Sequence, residues 1–169
     1  MSTTITETHV QTNIRWDPNY IKTKEGGLKL GAVLTNLIVF ICVISSGSYW
    51  RESHTARWTD FVAMTAFWVT GILLIFYLLH VIEKFHVIPW IMIEMGFTIL
   101  WTFFYFTCSI DLAVKASKSD VKAFAAASFF GFLAMCIYGI DGFFKFRGWK
   151  AGEIAQGRRE VKQSETATY

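Results

Sequence analysis

Four long runs of apolar residues divide the chain, and polar residues are confined to its two ends and to short gaps between the runs. The runs cover residues 28–49, 60–82, 88–110 and 121–144. A helix needs about 20 residues to cross a hydrocarbon layer of about 30 Å, and each run meets that length. The pattern therefore predicts an all-α membrane protein built as a bundle of four transmembrane helices.

Composition supports this interpretation and divides the chain into three parts. Of 169 residues, 53% are hydrophobic and 17% are charged, whereas an ordinary soluble domain has about 25% charged residues. We expect residues 28–146 to form the transmembrane domain, and the polar segments 1–27 and 147–169 to be disordered tails. No apolar segment precedes the first run, so that run is expected to act as its own insertion signal.

The distribution of basic residues predicts the orientation of the bundle. Four spans place both termini on one side of the membrane, and eleven of the 16 Lys and Arg residues lie on that side. Cytoplasmic loops and tails carry an excess of basic residues. Both termini are therefore predicted to be cytoplasmic.

Polar residues inside the apolar runs are the first candidates for function, because such groups are costly in hydrocarbon. With 1.5 Å of rise per residue, they fall at similar depths in four different helices. The predicted intramembrane polar cluster consists of Asn36, His80, Glu94, Asp141 and Lys145. Asp141 can pair with Lys145 one helical turn later. Glu94 has no basic residue at its depth inside a span, so it is expected to be protonated or to contact a partner protein.

Two interpretations of this cluster compete. It could be a hydrogen-bonded clamp that fixes helix packing, or a relay that carries protons or ions. A relay needs polar residues that continue across the membrane, and the other halves of the spans are apolar, as in FTILWTFFYFTCSI. The pattern favours the clamp and leaves the relay as an alternative.

Small residues in the fourth run predict a helix-packing surface. They recur at about four-residue spacing, which lets a second backbone approach closely. The predicted surface consists of Ala123, Ala127, Gly131, Ala134 and Gly139. The pattern does not distinguish packing within the bundle from homo-oligomerisation or docking of a partner.

Basic residues follow at the end of the same run. Lys145, Arg147 and Lys150 could contact anionic lipid headgroups, although such residues also serve simply to fix topology.

The chain carries no pattern that indicates catalysis. It has no nucleophile elbow, no zinc-protease motif and no phosphate-binding loop, so we expect no enzyme activity, cofactor, metal or nucleic-acid partner. Cys42, Cys108 and Cys136 all lie within the predicted spans, so no loop can form a disulfide. This disfavours tetraspanins and claudins, although a cell-junction role stays open as an alternative.

The fourth run and its basic end, AAASFFGFLAMCIYGIDGFFKFRGWK, carry a family resemblance. Together with four spans, short cysteine-free loops and Glu94 near the start of the third span, this segment resembles the MARVEL-domain tetraspan family. Within that family the likeness is to the chemokine-like-factor-like MARVEL transmembrane proteins and plasmolipin. The resemblance covers about residues 25–150.

The resemblance implies a non-enzymatic role in membrane organisation, vesicle trafficking or stabilisation of a client membrane protein. The implied partners are a lipid bilayer rich in cholesterol or anionic lipid, other integral membrane proteins, and a second copy of the chain. The implied location is the plasma membrane or secretory and endosomal vesicles. A small channel or proton-coupled transporter that uses the intramembrane polar cluster is the main alternative.

Overall fold

The computed structural model describes residues 3–9, 13–156 and 158–164. In chain order the elements are β1 (Thr3–His9), a 3-10 helix (Pro18–Lys22), α1 (Lys24–Ile44), α2 (Ser48–Glu52), α3 (His54–Leu78), α4 (Val81–Lys84), α5 (Trp90–Ser119), α6 (Lys122–Lys150) and β2 (Arg158–Ser164). By length and composition α1, α3, α5 and α6 are able to cross a membrane. This confirms the predicted four-span, α-helical bundle. The short strands β1 and β2 pair antiparallel and are an addition to it.

The four long helices form a closed ring. Helix α1 packs against α3 and α6, while α5 packs most extensively against α6 and less extensively against α3. Only Asp120 and Val121 separate α5 from α6, and Asp120 adopts the left-handed conformation with φ 50°. This tight connection holds the two helices side by side along their length.

The helices begin and end at residues other than those predicted from the apolar runs. Helix α1 begins after Thr23, whose side chain accepts a hydrogen bond from the amide of Gly26, and α3 begins after Ser53, which caps Ala56 in the same way. Such capping residues satisfy amides that have no partner within the helix. Caps therefore set the starts of α1 and α3, whereas the predicted bounds followed hydropathy alone.

Parts of the predicted tails are ordered against the end of α3. The Asp17 amide donates to the carbonyl of Leu78 at 2.9 Å, and the Gln156 side chain donates to the carbonyl of Tyr77 at 3.0 Å. The ring of Tyr20 stacks on that of Tyr77 with centroids 4.9 Å apart. These contacts attach both segments to the carboxyl end of α3, and here the structure differs from the predicted disorder. They also place both chain ends at the same end of the bundle.

Small side chains fill much of the bundle interior, and large apolar ones face outward. Ala63, Ala66 and Ala127 are fully buried, whereas Phe103 and Trp68 are each 60% exposed. This distribution suits a lipid surround, in which helices associate through close packing rather than hydrophobic burial.

The predicted small-residue surface of α6 lies largely inside the bundle. Ala127, Gly131 and Ala134 are buried, while Ala123 and Gly139 are half-buried. A Cβ atom added to Gly131 would collide with the side chain of Ser109 on α5. Of the interpretations left open by the sequence, packing within the bundle therefore applies to the buried part of this surface.

Candidate functional site: two polar layers inside the bundle

A buried ionic cluster joins three of the four helices. The Oε2 atom of Glu94 on α5 lies 2.8 Å from the Nζ of Lys29 on α1 and 2.8 Å from the Nζ of Lys145 on α6. Lys145 also lies 3.3 Å from Oδ1 of Asp141, one turn earlier on the same helix. The four residues are between 2% and 6% exposed. The ionic cluster thus contains two lysines and two carboxylic acids, whose formal charges cancel.

Two aromatic rings cover the ionic cluster from the end of the bundle. The Nζ of Lys29 lies 4.4 Å from the ring centroid of Tyr77 on α3, within cation–π range. The ring of Tyr20, from the 3-10 helix, stacks on the ring of Tyr77. Helix α3, the one long helix without a residue in the ion pairs, therefore contributes the Tyr77 ring to the cluster. The N-terminal segment adds the ring of Tyr20 next to it.

A neutral hydrogen-bond network lies deeper in the bundle. Asn36 accepts from the Tyr105 hydroxyl at 2.7 Å and donates to the Tyr138 hydroxyl at 2.8 Å. The Tyr138 hydroxyl also bonds the Thr70 hydroxyl at 2.7 Å. Each of the four long helices supplies one residue, and Asn36 follows Lys29 by about 10 Å of helix rise. The neutral network and the ionic cluster form two successive polar layers.

The structure separates the predicted polar cluster into three places. Glu94, Asp141 and Lys145 meet in the ionic cluster, whereas Asn36 belongs to the neutral network. His80 belongs to neither, so its predicted membership is wrong. Helix α3 ends at Leu78, and His80 takes the left-handed conformation with φ 55°, so it no longer lies on the face of that helix.

His80 lies instead among charged groups outside the two layers. Its Nε2 is 3.9 Å from a carboxylate oxygen of Asp17 and 3.9 Å from one of Glu83. Arg15 reaches the same Glu83 oxygen at 3.3 Å. This group links the N-terminal segment to α4.

The expectation that Glu94 lacks a basic neighbour is wrong, because both lysines contact it. Lys29 lies at the start of the first apolar run, where a basic residue indicates orientation. Its depth is compatible with that of Glu94, but depth alone does not determine which helix faces meet. Tyr105 and Tyr138 were also missed, although a tyrosine hydroxyl inside a span generally needs a hydrogen-bond partner.

The predicted lipid contacts divide in the same way. Lys145 is 5% exposed inside the ionic cluster, so it is not available to lipid headgroups. Arg147 and Lys150 are exposed, and their cationic groups lie 6.0 Å and 5.6 Å from the rings of Phe143 and Phe146. These two residues remain candidates for headgroup contact.

A cavity of about 10 Å³ lies between the two layers, lined by Lys29, Glu94 and Asp141 on one side and by Thr70 and Tyr138 on the other. This volume is about that of one water-sized probe. Among the residues that the structure describes, no group of three His, Cys, Asp or Glu side chains is placed to hold a metal ion.

The arrangement of four spans can be compared with known proteins. A family model described as MARVEL, a membrane-associating domain, matches residues 20–144, from the 3-10 helix into α6. The chain belongs to the MARVEL family. The match confirms the resemblance that the fourth span and the short loops of this MARVEL protein indicated.

Named relatives agree with this assignment at modest identity. The chain is 29% identical to plasmolipin of Homo sapiens over 143 residues, which cover 81% of this chain and 78% of that protein. It is 24% identical to MARVEL domain-containing protein 1 of Xenopus laevis over 161 residues, covering 88% and 92%. It is 24% identical to CKLF-like MARVEL transmembrane domain-containing protein 8 of Bos taurus over 143 residues, covering 82% of each. These relatives are MARVEL membrane proteins, and the matches give no indication of catalysis.

Proposed function

We propose that this MARVEL protein is a non-enzymatic membrane protein that acts through lateral contacts within the bilayer, in membrane organisation, in vesicle trafficking or in stabilising a client membrane protein. One observation carries the proposal. Lys29, Glu94, Asp141 and Lys145 pair with each other in the bundle interior, with Glu94 only 2% exposed, while large apolar side chains such as Phe103 and Trp68 face outward. The polar layers then act as a clamp, and recognition takes place on the outer surface.

A groove on that surface offers a place for a client helix. It lies between α5 and α6, has a volume of about 290 Å³, and is lined among others by Thr102, Gly139, Gly142, Phe143 and Phe146. A Cβ atom at Gly139 would lie 3.8 Å from the Thr102 methyl, so the glycine leaves the groove open. Small residues flanked by rings allow a helix with a bulky apolar side chain to approach closely. We take an apolar transmembrane helix of a client as the occupant.

Site-specific photocrosslinking in cells tests this proposal. A benzophenone amino acid replaces Phe143 at the groove or, as the control, Trp68, which is 60% exposed on α3. We expect a defined protein adduct at position 143, and we expect Gly139→Leu to remove it. Position 68 should yield mainly lipid adducts. Identical adducts at both positions, or adducts that Gly139→Leu does not change, would contradict lateral recognition at the groove.

The cavity between the two polar layers favours one second candidate, a channel or proton-coupled transporter. Ion and proton flux through the protein in liposomes tests it, with Glu94→Gln and Asp141→Asn as variants. Flux that either variant abolishes would assign the ionic cluster to a pathway. No flux through liposomes that contain folded protein would support the interpretation of the cluster as a clamp.

We further propose that the shared end of the two termini faces the cytoplasm, in the plasma membrane or in secretory and endosomal vesicles. The basic residues near that end support this orientation. This orientation is tested by protease digestion of intact vesicles, followed by detection of each terminus. Protection of both termini from the protease would show the opposite orientation.

A further inference from the structure

A second cavity lies at the end of the bundle that holds the chain termini. Its volume is about 230 Å³, and it opens between the turn into α5 and the segment after α6. Its lining includes Trp90, Met92, Trp149, Glu153 and Ile154. Trp90 precedes Glu94 by about 6 Å of helix rise, which places the cavity outside the ionic cluster. Tryptophan at a span end occupies the level of the lipid headgroups.

The two indoles are held at adjacent helix ends. The Trp90 indole N–H donates to the carbonyl of Phe85 at 3.0 Å, so its ring is fixed across the turn that precedes α5. Trp149 lies in the last turn of α6 and is 45% exposed. Because α5 and α6 pack side by side, both rings line the same cavity.

The backbone after α6 brings a carboxylate back to these indoles. Gly152 has a φ of 73°, which reverses the chain, and the Glu153 amide donates to the carbonyl of Gly148 at 3.0 Å. A Cβ atom on Gly148 would lie 2.8 Å from Oε2 of Glu153, so the carboxylate occupies space that a larger residue would fill. A glycine at each of these two positions therefore allows Glu153 to line the cavity.

The charge of the lining favours a cationic ligand. Within residues 13–156 no Lys or Arg lines this cavity, whose basic residue there is His86, and no ion pair joins Glu153 to another residue of that range. The neighbouring cations Arg147 and Lys150 lie over phenylalanine rings of α6. Two indoles and a carboxylate are the chemistry that recognises a quaternary ammonium group.

We propose that this cavity binds the choline headgroup of phosphatidylcholine. The trimethylammonium group contacts Trp90 and Trp149 and is balanced by Glu153. The ammonium of phosphatidylethanolamine can also pair with Glu153, but it has three N–H donors, and indole faces are poor acceptors for those that the carboxylate leaves without a partner. Anionic headgroups without choline are opposed by Glu153. The proposal does not depend on which side of the membrane this end faces.

Native mass spectrometry of the full chain released from micelles tests the proposal. The protein is equilibrated with equimolar phosphatidylcholine, phosphatidylethanolamine and phosphatidylglycerol of identical acyl chains, and the retained lipids are counted. We expect a preference of about fivefold for phosphatidylcholine, in the range that one or two cation–π contacts provide. Glu153→Gln and Trp149→Leu are expected to abolish the preference, whereas Glu52→Gln, at an exposed acid on the other side of the bundle, leaves it intact.

Equal retention of the three lipids, or a preference for phosphatidylglycerol, would overturn the proposal. A preference that survives Glu153→Gln would also overturn it, because the carboxylate would then have no role. Glu153 is exposed and lies after the last helix, so Glu153→Gln remains informative even if Trp149→Leu alters folding. Circular dichroism of each variant establishes that the helices are retained.

Discussion

The ionic cluster predicts a specific pattern of coupled stability losses. Lys29→Met leaves Glu94 with Lys145 at 2.8 Å but creates an excess negative charge in the bundle. Glu94→Gln removes the carboxylate that both lysines contact, leaving an excess positive charge. Breaking a buried ion pair by removing one partner typically costs about 3–5 kcal/mol. We expect the lysine variant at the lower end of this range and the glutamate variant at the upper end.

The double variant should lose much less stability than the two single losses together. With Lys29 and Glu94 both neutralised, the remaining Lys145 and Asp141 form a balanced pair at 3.3 Å. We expect the double variant to be more stable than the sum of the single losses by about 3 kcal/mol, the upper end for residues in direct contact. The free energy of unfolding is measured by circular dichroism of micellar protein titrated with a denaturing detergent.

Lys118→Met serves as the control, since Lys118 is an exposed basic residue at the far end of α5. Its cost should stay within about 0.5 kcal/mol. Losses that add within about 0.5 kcal/mol in the double variant would refute the coupling. Single losses below about 1 kcal/mol would show that these groups are solvated rather than buried as a charged pair.

Three further outcomes are expected in the same assay. Tyr138→Phe should cost about 1–3 kcal/mol, because it leaves the buried Thr70 hydroxyl and the Asn36 amide without their partner; an unchanged stability would mean that the neutral network adds nothing. Gly131→Leu should prevent recovery of folded protein, since its side chain would collide with Ser109; normal yield and stability would contradict the internal packing of this glycine. Burial raises the pKa of Tyr20, so stability should fall as the pH rises above about 10, where the unfolded chain ionises first, and Tyr20→Phe should reduce that loss; an identical alkaline loss in the variant would exclude Tyr20 as a contributor.

The four spans and the contact between Asp141 and Lys145 follow directly from the sequence. Span length and hydropathy report the match between a helix and the bilayer, and a four-residue spacing places two side chains on one helix face. Both are local properties, which a single sequence carries. The family resemblance followed from the same local features of the fourth span.

The contact between Glu94 and Lys29 could not be predicted from local sequence features. Lys29 lies 65 positions away, and whether the two meet depends on how α1 and α5 rotate about their axes. Hydropathy is too even along these helices to fix that rotation. His80 shows the opposite limit, since no Gly or Pro indicates that α3 ends just before it. The depth predicted for His80 assumed that the helix continues to residue 82, whereas α3 ends at Leu78.

The two-residue connection between α5 and α6 determines what is accessible from the side opposite the termini. These helices contain 30 and 29 residues, so each is about 45 Å long and exceeds the hydrocarbon layer by about 15 Å. The end of this helix pair carries Lys118 and Lys122, and Lys115 there donates to the Ser53 hydroxyl at 2.7 Å, which joins it to the residue that precedes α3. An antibody or soluble ligand that binds this end would therefore act on the same two helices that hold Glu94 and Lys145.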